Sequence, residues 1–119
     1  MGVQPLVLLV DGDESALDAM AQALTDQGVS IARATDGVTA LTAAHKLKPV
    51  AIVLDLILPE LSGAAVMARL RSEGNDVPIV LCSSVTVAPT IGEGVEFLPK
   101  PCDPDLLRAA VARALSRVR

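Results

Sequence analysis

The chain has 119 residues, 51% of them apolar, a formal net charge of −4 and a single aromatic, Phe97. That length suits one domain with an aliphatic core and leaves no room for a second catalytic domain. The acidic balance and the lack of stacking platforms argue against direct nucleic-acid binding, and no apolar run approaches the ~18 residues of a membrane span.

Residues 1–5 carry no basic group and the first apolar run stops at Asp11, so the start does not read as a secretory signal. The expectation is a cytoplasmic, soluble, single-domain protein over residues 1–119, with no membrane partner. Residues 6–10 (LVLLV), bounded by DGDE, predict a strand buried on both faces. A helix follows over 15–27, with Leu17, Met20, Ala21 and Leu24 at helical spacing and Gly28 as its stop. Residues 29–34 predict a second strand, and Asp36-Gly37 leads into a helix over 38–47 closed by Pro49.

The third strand, 50–54, delivers Asp55; the loop LILPELSG then leads to a helix over 64–73, broken by Gly74-Asn75. Strand four, 79–82, delivers Ser83. Between Ser84 and Glu96, Pro89, Gly92 and Gly94 leave space for a turn or two of helix at most. A short fifth strand at 96–98 precedes a helix starting at Asp103, with Leu106, Leu107, Ala110, Val111, Ala114 and Leu115 as one apolar face. This (βα)5 alternation predicts a doubly wound α/β sheet of five parallel strands joined by right-handed crossovers, with helices on both faces.

In such a sheet, ligands bind outside the carboxyl ends of the strands. Asp11, Asp13, Asp55, Ser83 and Lys100 all follow predicted strands, so they are expected at one rim. Clustered carboxylates repel one another unless a cation shares the site, and Asp11, Asp13 and Asp55 therefore ask for a hard divalent ion, best Mg²⁺. A carboxylate beside such an ion and an amine can attack phosphorus to form an aspartyl phosphate. Lys100 would supply the amine and Ser83 a hydroxyl for a phosphoryl oxygen. Each residue also has a plainer reading: Asp after a strand is often a helix cap, most of all Asp13, while Ser83 can bond nearby backbone and Lys100 can be a solvated amine.

Taken together, the segments VLLVDGDE, IVLDLILPELSG, PIVLCSS and FLPKP resemble the receiver domains of two-component response regulators, the chemotaxis-regulator-like, flavodoxin-like fold. The resemblance covers the whole chain. It implies that Asp55 is phosphorylated by a histidine kinase or phosphotransfer protein, and that the Ile57 carbonyl joins the aspartates as a metal ligand. It further implies that Ser83 senses the phosphoryl group, Lys100 binds it and Phe97 is the switch aromatic, though Phe97 also reads as filler at the sheet edge. A cis Lys100-Pro101 bond and a downstream output domain or protein are also implied.

Two departures stand out. Receivers usually carry adjacent acidic residues after strand one, and here the second place, normally a direct metal ligand, is Gly12. The stretch from Ser83 to Lys100 is also a few residues short, the loss falling on the helix between strands four and five, on the surface most receivers use for dimerisation or output. Partner contacts built there are accordingly expected to be absent or remodelled, with a homodimer kept among the expected partners. These departures motivate an alternative, a degenerate receiver that binds partners without phosphorylation. A remoter one is a phosphatase: Asp11-Gly12-Asp13 resembles the DxD start of haloacid-dehalogenase-type enzymes, although the chain is short for them and lacks a later acidic pair.

Cys82 and Cys102 lack metal-ligand spacing and read as reduced, partly buried thiols that come close if strands four and five are neighbours. Arg108, Arg113, Arg117 and Arg119 read as cations suited to a helix C-terminus, with a basic patch as the alternative. His45 has no partner in the sequence pattern and reads as a solvated side chain.

Overall fold

The computed structural model describes residues 4–84 and 94–116. In chain order the elements are β1 (Leu6–Val10), α1 (Glu14–Ala23), β2 (Ser30–Ala34), α2 (Gly37–Leu47), β3 (Ala51–Leu54), α3 (Gly63–Ser72), β4 (Ile79–Ser83), β5 (Val95–Pro99) and α4 (Pro104–Leu115). All five strands pair in parallel, in the order β2-β1-β3-β4-β5. The shortened helix expected between strands four and five falls on 85–93, outside the described residues.

Successive side chains of a strand point to opposite faces, and the continuous apolar runs feed two cores at once. Val7, Leu9, Val53, Val80 and Cys82 pack under Leu17 and Met20 of α1 and Leu107, Ala110 and Val111 of α4. Leu8, Val10, Ile52, Leu54, Ile79 and Leu81 pack under Ala40, Leu41 and Ala44 of α2 and Val66 and Leu70 of α3. Because the chain leaves β1 for β2 on one side and returns for β3 on the other, the strand order reverses between β1 and β3. That reversal opens a crevice at their carboxyl ends.

Most boundaries agree with the sequence reading to within a residue, and two details do not. The first helix ends at Ala23, not Gln27: the cap N–H of Leu24 bonds back to Met20, after which Gln27 N–H bonds Leu24 O in a turn. Asp26 at φ 68° and Gly28 at φ 73° are left-handed and cannot continue a helix. In α4, Leu107, Ala110, Val111 and Ala114 are buried and Leu115 packs at their margin, but Leu106 is 52% exposed. Leu106 and Leu107 are successive residues, rotated by about 100° on a helix, so they cannot share one narrow stripe.

Asp13, Asp36, Ser62 and Asp103 each cap a helix with a side-chain oxygen that accepts a backbone N–H of the first turn. Gly63 has a sharper role. The first turn of α3 passes directly over the end of β3, where a Cβ at residue 63 would overlap the backbone carbonyl of Asp55, and Gly63 N–H bonds Leu56 O at 2.8 Å. Gly63→Ala is expected to lower urea-measured stability by about 1–3 kcal/mol, the usual range for overpacking.

Candidate functional site at the β1–β3 crevice

Three site residues are held by extensions of the sheet's own hydrogen-bond ladder. Asp11 N–H bonds Ala34 O at 3.2 Å, Asp55 N–H bonds Val10 O at 3.0 Å, and Lys100 N–H bonds Ser83 O at 2.9 Å. Each side chain therefore starts from a backbone position fixed by a neighbouring strand. Asp11 and Asp55 are 2% and 8% exposed, so both carboxylates lie below the rim.

Lys100 joins them. Its ammonium donates to Asp55 Oδ2 at 2.9 Å and also to Asp11 Oδ2. The remaining oxygens accept backbone donors: Asp11 Oδ1 takes Asp13 N–H at 2.9 Å, and Asp55 Oδ1 takes Ile57 N–H at 3.2 Å. Burial of the ammonium works against its charge, but the hydrogen bonds and charges of Asp11 and Asp55 outweigh it and hold the Lys100 pKa above the ordinary lysine value.

The crevice therefore gathers Asp11, Asp55 and Lys100. It does not gather Asp13, which faces solvent as the N-cap of α1, its Oδ1 accepting Ser15 N–H at 3.0 Å and Ser15 Oγ–H at 2.9 Å. Those two bonds hold its pKa below the usual carboxylate value. Among the described residues no three His, Cys, Asp or Glu side chains converge as a metal cluster. Ile57 sits on the loop beyond Asp55 with its side chain 65% exposed.

Ser83 ends β4, fully buried, and its hydroxyl has no hydrogen-bond partner among the described residues. Phe97 lies on β5 opposite Leu81 and packs half-buried against the core under α2 and α3. The Lys100-Pro101 bond is cis. At Gly12, an added Cβ would meet Pro59 Cδ at 3.4 Å, so the position has room for a Cβ.

Outside the crevice, two sequence readings change. His45 has a partner after all: its Nε2 lies 2.6 Å from Oε1 of Glu73, because α2 and α3 are neighbours on one face of the sheet and their ends meet. Arg113 pairs with Glu96 and Arg108 with Asp105, while Arg117 and Arg119 fall outside the described residues. Gly63 is the residue the sequence reading passed over. Its signal was the Ser-Gly pair closing the loop, where Ser62 caps α3 and Gly63 admits the Asp55 backbone.

Known proteins are similar to this chain in sequence and fold. The family profile described as response regulator receiver domain matches residues 7–112. The response regulator MprA of Mycobacterium leprae is 33% identical over 95% of this chain and 52% of its own length, and that of Mycobacterium sp. (strain KMS) is 34% identical over 93% and 50%. The chain thus spans about half the length of these curated relatives. Among solved structures, the signal receiver domain of a LuxO repressor protein from Vibrio parahaemolyticus superposes with a TM-score of 0.88 at 27% identity, covering 97% of this chain and 92% of that one. Chemotaxis response regulator CheY4 of Vibrio cholerae gives 0.83 at 26% identity, covering 95% and 100%.

This chain belongs to the response regulator receiver domain family of two-component signalling. Receivers are signalling modules. Among the described residues no helix is long and apolar enough to cross a membrane.

The sign of the Lys100 shift fixes a pH dependence. A lysine whose folded-state pKa is raised contributes stability that is complete below its unfolded value of about 10.4 and is lost as pH rises through the folded value. Wild type is expected to exceed Lys100→Met in chemical-denaturation stability by a constant margin through neutral pH. That margin is expected to shrink above about pH 10.4.

Proposed function

We propose that residues 1–119 form one receiver domain in which Asp55 accepts a phosphoryl group from the phosphohistidine of a histidine kinase or phosphotransfer protein. The observation that carries this reading is the buried Asp55 carboxylate hydrogen-bonded through Oδ2 to Lys100 at the β1–β3 crevice. In the transfer, an Asp55 oxygen forms the new P–O bond as the P–N bond breaks, and the freed imidazole keeps the bonding pair and takes up a proton. Lys100 is placed to follow the charge onto the phosphoryl oxygens, at the expense of its contact with Asp11. Ser83, whose hydroxyl is unspent among the described residues, supplies a donor to the same group.

The hard oxygen donors of the crevice suit Mg²⁺: Asp11 and Asp55 with the Ile57 carbonyl would hold it, and Asp13 would have to give up its capping bonds to join. When bound, the ion would offset charge on the transferring group. Gly12 leaves this donor set one carboxylate short of the usual receiver pattern. Phosphoryl acceptance then shifts a two-state equilibrium read through Ser83 and Phe97 by an output domain or protein, in the cytoplasm. Homodimerisation remains one use of the switching surface.

Incubation with MgCl₂ and acetyl phosphate is expected to add one phosphoryl mass to wild type and none to Asp55→Asn. Wild type without added mass, together with partner binding indifferent to Asp55→Ala, would favour the degenerate-receiver reading that Gly12 motivates. Gly12→Asp, whose Cβ the local space admits, is expected to tighten Mg²⁺ binding by about tenfold in calorimetric titration, since ligand charge sets the affinity of such sites.

A further inference from the structure

Cys82 and Cys102 are brought together by the fold although 19 residues separate them in the chain. Cys82 is the penultimate residue of β4 and lies opposite Leu98 of β5. Cys102 follows the Lys100-Pro101 turn, whose backbone is tied to β4 by the Lys100 N–H to Ser83 O bond. That bond brings the chain back over the end of β4, so that Cys102 packs against the core cluster that contains Cys82. Both are free.

The pair is asymmetric. Cys82 is buried, with 1% of its surface exposed, whereas Cys102 is half-buried and lines a cleft of about 470 Å³ bounded by Ala16 and Ala19 of α1 and by Ser84, Lys100 and Pro101. A reagent in that cleft meets Cys102, whereas Cys82 is buried and is not among the residues that line it.

We propose that Cys82 and Cys102 form a dithiol modification site that reacts with low-molecular-weight disulfides to give an intramolecular disulfide. In the first step the Cys102 thiolate attacks one sulfur of the reagent RSSR; a mixed disulfide forms and RS⁻ leaves. In the second, the Cys82 thiolate attacks the Cys102 sulfur, the internal S–S bond forms and a second RS⁻ leaves. The two cysteines are oxidised by two electrons, RSSR is reduced to two RSH, and the two thiol protons end on the released thiols.

The local electrostatics assign the same order of attack. Contact with Cys82, aided by the Lys100 charge, holds the Cys102 thiol below its usual pKa, while contact with Cys102 and burial push Cys82 up. Oxidation would tie the residue before Ser83 to the residue two after Lys100. It would thereby fix the spacing of the two side chains that flank the crevice from β4 and β5.

The test equilibrates the full chain with oxidised glutathione, followed by mass spectrometry, peptide mapping and labelling of free thiols. Wild type is expected to lose two hydrogens and both free thiols, with the peptides containing Cys82 and Cys102 cross-linked. Cys82→Ala is expected to stop at one glutathione on Cys102, and Cys102→Ala to keep a Cys82 that resists labelling until denaturant is added. Wild type that keeps both thiols, that retains glutathione on Cys102, or whose Cys82 is labelled as fast in native Cys102→Ala as in denaturant, would overturn the proposal. None of these readouts involves Asp55, so the outcome is independent of phosphoryl acceptance.

Discussion

The contact on which the site depends is the ammonium of Lys100 shared between Asp11 and Asp55. Two carboxylates within reach of one amine lie a few ångströms apart, where like charges repel by about 4 kcal/mol at an effective dielectric near 20. Burying them adds desolvation. One cation satisfies an oxygen of each and leaves the trio with a single net negative charge. It comes from the far end of the chain, 89 residues from Asp11 and 45 from Asp55. The acidic crevice is therefore complete only when the sheet is assembled out to β5, and the site reports on the whole fold.

The ladder explains why this long-range contact is well defined. Asp11, Asp55 and Lys100 each donate a backbone N–H to the carbonyl of a residue at the end of an adjacent strand. Parallel pairing has one register across β1, β2 and β3, with Val10 opposite both Ala34 and Leu54. A one-residue slip would turn every buried side chain of a strand to the other face. The two aliphatic cores that lock the register thus also set the positions of the charges.

Much of this was legible in the chain because the signals were local and redundant. The runs LVLLV, AIVL and IVLC are continuous and apolar, as strands buried on both faces must be, and each is followed by a residue with chemistry to offer. What escaped the sequence needed three-dimensional neighbours. Gly63 reads as an ordinary loop glycine until the Asp55 carbonyl is found beneath it. His45 reads as solitary until α3 brings Glu73 alongside. Leu106 fits the helical period but lies off the stripe that α4 presents to the sheet. Asp13 had two readings from the outset, metal ligand and helix cap, and its side chain is found in the capping geometry.

Gly12 and Asp13 together define what distinguishes this crevice electrostatically. With glycine at position 12 and the next carboxylate turned to the α1 cap, the negative charge below the rim comes from Asp11 and Asp55, and one lysine offsets half of it. A crevice with three carboxylates would carry more uncompensated charge; in this one Lys100 cancels one of two negative charges. On the proposed function, a cation entering it would meet Lys100 already on both Oδ2 atoms, whereas a phosphoryl group on Asp55 would draw Lys100 outward and leave Asp11 free to hold the ion. On the proposed function, cation and phosphoryl group would thus be coupled through one amine, the phosphoryl group making room for the cation at Asp11.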